Sequence, residues 1–123
     1  MLNEVADRCN AIEECYEFML AYAGQGISGE DGGERDGQIR DFLTRAVKAL
    51  SGIADAYAPA VPDQGRAFLG VLDRDAKDSL AAIELVLAQR SISSQLIDNL
   101  NASIHLRALL TDLFLIDEIL KAS

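Results

Sequence analysis

The side chains able to do chemistry in this sequence are few, and their spacing limits what each can do. There is one histidine, His105, and there are two cysteines, Cys9 and Cys15. A four-coordinate zinc site needs more donors than one imidazole and two scattered thiols supply. Cys9 and Cys15 stand six residues apart in a segment of helical periodicity, about 120° off a common face and about 9 Å apart along the axis. No disulfide can join them while that helix is intact. Both are expected to be small core residues of a reducing compartment. Di-iron bundles need Glu-x-x-His twice, which a single histidine excludes. No Gly-x-Ser-x-Gly turn is present to strain a serine into a nucleophile. The run Asp73-Arg74-Asp75-Ala76-Lys77-Asp78 offers carboxylates, but it alternates in sign and has no His or Cys beside it, as a solvated helix face does. No catalytic residue, metal or cofactor is expected.

His105 invites two comparisons. In an acidic helical chain, its setting resembles that of histidine phosphotransfer domains, where the acceptor is followed by Lys at the third place and Gly at the fourth. Here those places hold Ala108 and Leu109, with Arg107 as a nearby charge. The resemblance makes His105 the alternative phosphoacceptor, with Leu109 expected to obstruct a docking partner. The stretch Leu100-Asn101-Ala102-Ser103-Ile104-His105 is similar to the Arg-Asn-x-x-x-His motif of HEPN ribonuclease bundles at its Asn and His. Leu100 stands where the motif has the guanidinium that stabilises a phosphate's developing charge. Otherwise His105 is expected at a helix boundary, hydrogen-bonded to backbone or to a carboxylate.

A chain of 123 residues, half of them hydrophobic, supports one domain with one core. Abundant Ala and Leu with scarce aromatics and Pro favour helices over sheet. A formal charge of −9 opposes binding to nucleic-acid phosphates and to anionic membrane surfaces. Glu4 and Asp7 occupy the place where a secretory leader carries positive charge, and Arg107, Asp112 and Asp117 interrupt the most apolar stretch. A cytoplasmic protein is expected.

The expected fold is all-α: an antiparallel four-helix bundle with helices over about 2–23, 38–58, 64–90 and 95–121. In the first, Leu2, Val5, Cys9, Ile12, Tyr16, Met19 and Ala23 alternate by three and four, with Cys15, Phe18 and Tyr22 as a second strip. Gly24 reads as its C-cap. Residues 24–37 hold six glycines and several carboxylates and are expected to form a long mobile loop. The order of acids fits neither a calcium loop nor a phosphate cradle. Ile39, Leu43, Ala46, Leu50, Ile53 and Tyr57 form the second helix's core stripe, while Arg40, Arg45 and Lys48 should lie beside the acidic first helix. Pro59-Ala60-Val61-Pro62 reads as a short stiff link, with Asp63 as the N-cap of the third helix. The third core stripe runs through Phe68 or Leu69, Leu72, Ala76, Leu80, Ile83 and Leu87. The boundary between the third and fourth helices is the softest.

The last helix is apolar on two faces. Leu106, Leu109, Leu113, Ile116 and Leu120 form the broader stripe, expected to face inward, and Ile104, Ala108, Leu115 and Ile119 form the other. A second apolar face must be covered by something. The sequence therefore points to a small, non-catalytic accessory or adaptor protein acting through helix-to-helix contacts, as a homodimer or with another protein. Phe18, Tyr22, Ile104, Ala108, Leu115 and Ile119 are its expected contact residues.

Overall fold

In the computed structural model, residues 2–26 and 33–122 are described, and every regular element among them is helical. There are six α-helices: α1 (Leu2–Ala23), α2 (Glu34–Leu50), α3 (Ile53–Tyr57), α4 (Arg66–Leu87), α5 (Ser94–Ala102) and α6 (Ile104–Ala122). Single 3-10 turns lie at Ala58–Ala60 and Asp63–Gly65.

Two of the four expected helices are each broken into two. The segment expected over 38–58 begins earlier, at Glu34, and stops at Ser51–Gly52, where Gly52 takes the left-handed φ of 70°. The cause is local: Ser51 turns its hydroxyl back onto the Val47 carbonyl at 2.8 Å, and glycine adopts left-handed backbone without a Cβ clash. The segment expected over 95–121 breaks at Ser103, which is extended at ψ 141° and caps α6 by accepting from the Leu106 amide. The third helix ends at Leu87, earlier than expected, and Asp63 does not cap it. Asp63 lies in the preceding 3-10 turn and pairs with Arg66 at 3.4 Å. Nor is Gly24 left-handed; the positive φ in that turn belongs to Gly26. The rest of the expected loop, residues 27–32, lies outside the described residues.

Two arginines close helix ends on neighbouring elements. Arg8 of α1 donates to the carbonyls of Ala49 and Ser51 at 2.9 and 2.6 Å, where α2 stops. Arg40 of α2 donates to Leu87 and Gln89 at 2.9 and 2.7 Å, where α4 stops. Cations at helix C-termini satisfy orphan carbonyls and meet the negative end of the helix dipole. Arg40 is thus turned toward α4, not toward α1; of the expected trio, Arg45 pairs with α1, lying 3.7 Å from Glu14.

Neighbouring elements run antiparallel. Phe18 of α1 stacks on Phe42 of α2 with centroids 4.3 Å apart, while Arg8 reaches the far end of α2. Ser79 of α4 donates to the His105 carbonyl at the start of α6, and Phe68 and Leu69 lie beside its end. The core sits between these layers. All six residues of the stripe from Ile39 to Tyr57 are buried, straight across the Gly52 break. On α6 the broad stripe faces inward, with Leu106, Leu109, Leu113 and Ile116 buried and Leu120 half-buried. Each fully buried Leu or Ile contributes about 1.5–3 kcal/mol. Among the described residues, no helix is long and apolar enough to cross a membrane.

Candidate functional site

Cys9, on the inner face of α1, meets Tyr57 of α3 and Asp117 of α6. Tyr57 donates to Asp117 Oδ1 at 2.6 Å, and the Cys9 thiol lies 2.9 Å from the same hydroxyl and 3.6 Å from Asp117 Oδ2. Burial pushes the Cys9 thiol up to about 11 and the Tyr57 hydroxyl upward as well. Cys15 is also pushed up to about 12 by burial. Burial therefore favours the protonated thiol at both positions at neutral pH. The trio joins three helices through a buried polar contact. No group of three or more potential metal ligands occurs among the described residues.

A second polar contact joins α4 to α6. Asp112 is buried, and its Oδ2 has no hydrogen-bond partner among the described residues. Burial, then hydrogen bonding and repulsion from Asp75, pushes the Asp112 carboxyl up to about 7. Asp75 of α4 thus faces Asp112 of α6 across the seam.

His105 is exposed on the first turn of α6 and contacts α4 through its backbone carbonyl, which accepts from Ser79 at 2.9 Å. Leu109 does not obstruct it, because Leu109 is fully buried. Arg107 follows by two residues, about 200° around the helix, and so cannot reach a phosphate on the imidazole. The partial HEPN motif falls on either side of the Ser103 break, with Asn101 on α5 and His105 on α6, so the two do not share a helical face.

The remaining feature is apolar. Ile104 is 75 % exposed, Leu115 49 % and Ile119 53 %, with Ala108 half-buried between them. At about 100° per residue these four share one stripe along α6, opposite the buried one. Beside its C-terminal half lies an apolar groove of about 230 Å³, walled by Leu115, Ile119 and Leu120 on α6 and by Val61, Pro62, Phe68 and Leu69. Gly65 makes the close approach possible, since a Cβ there would stand 2.7 Å from Val61 Cγ1. The groove is smaller than a typical small-molecule site and suits an apolar side chain. Phe18 and Tyr22, in contrast, turn into the chain. Tyr22 is 1 % exposed and donates to the Ile92 carbonyl, and Phe18 is half-buried on Phe42.

The sequence placed Ile104, Ala108, Leu115 and Ile119 together on one face, and the structure does the same. The groove's other wall was not visible, because the 58–65 turns bring Val61 and Pro62 against a helix some fifty residues away. Phe114, 59 % exposed, falls on neither stripe and also went unread. No family model, curated protein or solved structure matches the chain.

Proposed function

We propose that this chain is a small, non-catalytic, cytoplasmic accessory protein that acts by docking helix against helix through the outward face of α6. Its scaffold is an antiparallel bundle of four legs: α1, α2 with α3, α4, and α5 with α6. The observation that carries the reading is the exposed stripe of Ile104, Leu115 and Ile119 beside an apolar groove. Singly exposed apolar residues, such as Leu85 on α4, are ordinary; a stripe continuous with a groove is the usual mark of a contact surface. Large apolar side chains that enter such a groove carry most of the energy of an interface. The raised thiols and the separation of Arg107 from His105 support a role without catalysis. The face is covered by a second copy, by another protein, or by each in turn.

A photoreactive residue at position 115 tests this in the living cell. A discrete cross-linked adduct is expected, and it should vanish when Ile119→Asp is added. No adduct above that formed from position 78, on the far side of α4, would overturn the reading. The exposure of His105 supports phosphotransfer as the second reading, with that imidazole as acceptor.

A further inference from the structure

We infer that the outward face of α6 pairs with α6 of a second copy of this chain, antiparallel, about a two-fold axis passing beside Thr111. The inference rests on the docking role proposed above and names its occupant. Three observations carry it.

The stripe is symmetric about its own middle. Ile104 and Ile119 lie seven and a half residues on either side of the point between Thr111 and Asp112, and Ala108 and Leu115 lie three and a half. An antiparallel pair about that point sets each Ile104 opposite Ile119 of the second copy and each Ala108 opposite Leu115. A two-fold interface requires such self-complementarity.

The sizes also match. Small Ala108 leaves room for Leu115, and Ile104, the most exposed large apolar residue among those described, arrives beside the groove next to Ile119. That groove, about 230 Å³, takes one such side chain as an anchor.

On the flank that holds Arg107 and Glu118, the charges are complementary in this register. Arg107 and Glu118 are exposed, lie within about 20° of each other on the same flank, and enter none of the ion pairs among the described residues. In an antiparallel pair, residues on one flank face their counterparts, so Arg107 meets Glu118 of the second copy twice per dimer. The axial offset is about 3 Å, within reach of both side chains. Much of the chain's negative charge lies elsewhere, five carboxylates being on α1. The paired stripe is about 22 Å long, which places the interface at the small end of specific contacts and its Kd in the micromolar range.

Sedimentation equilibrium of charge-reversed variants tests the pairing, since both positions are exposed and neither should affect folding. The wild type is expected to be a dimer at about 100 µM. Arg107→Glu alone and Glu118→Arg alone should each weaken dimerisation about tenfold, and the two together should restore it to within about threefold of wild type. A wild type that stays monomeric at about 200 µM overturns the inference. So does a double reversal no tighter than the single ones. If the wild type is monomeric while position 115 still forms an adduct of another mass, the dimer fails and the docking role stands; if no adduct forms, both fail.

Discussion

At the scale of single residues, the least legible features are those made by distant pairs. Asp112 is legible in the sequence as a charge that interrupts the most apolar stretch, but nothing there joins it to Asp75, which packing alone brings across the α4–α6 seam. The pair has a measurable consequence. With Asp112 held near 7 in the folded chain against an ordinary value of 3.8, the folded state keeps a proton that the unfolded state loses. Stability from this group is therefore complete below about pH 4 and declines as pH rises toward about 7. Urea titrations at pH 5 and pH 7.5 should show Asp112→Asn losing less stability over that interval than wild type. Equal losses would show that the Asp112 carboxyl is not raised in the folded chain. Cys9 was legible as a buried small residue and illegible as a partner of Tyr57, for the same reason. His105 was expected to make a side-chain contact at a boundary; the contact with α4 is made by its carbonyl, with the imidazole exposed. His105→Gln should change stability by no more than about 1 kcal/mol. Acid-labile phosphate on the wild type after treatment with a small phosphodonor, absent from the variant, would favour phosphotransfer over docking.

At the scale of elements, hydrophobic periodicity reported burial faithfully and backbone continuity poorly. Leu50, Ile53 and Tyr57 keep helical spacing through Ser51–Gly52, so a buried stripe ran unbroken across a helix that is not. Ser-Gly was the available signal there, and Ser103, three residues before Leu106, was the corresponding capping signal at the second break. Gly52→Ala, forcing a Cβ into left-handed backbone, should cost about 1 kcal/mol in chemical denaturation. An unchanged midpoint would mean that the α2–α3 junction relaxes into a continuous helix. The arginine contacts that end α2 and α4 could not be read from charge pattern, because a guanidinium capping a neighbouring helix looks in sequence like any surface cation. Arg40→Ala leaves the part-buried carbonyl of Leu87 and the exposed one of Gln89 without this donor and should cost roughly 1–2 kcal/mol. A loss below about 0.3 kcal/mol would assign those carbonyls to solvent instead.

At the scale of the whole molecule, the all-α class followed from composition and from stripes that turn every three to four residues. The inward and outward faces of α6 followed from stripe width. Phe18 and Tyr22, expected at a contact surface, are covered by Phe42 of α2 and by the turn at Ile92, and a stripe on α1 alone does not show which neighbour will cover it. What periodicity left over is the outward stripe of α6, and the docking account depends on it. The most direct measurement is the mass of the Leu115→Asp/Ile119→Asp double variant by light scattering, with its circular dichroism recorded on the same sample. Both residues are about half exposed, so the helical signal should be retained while the mass falls from that of a dimer to the 13.3 kDa of one chain. A double variant that loses its helical signal would assign the two residues to the core, and a wild type already at the single-chain mass would contradict the paired face.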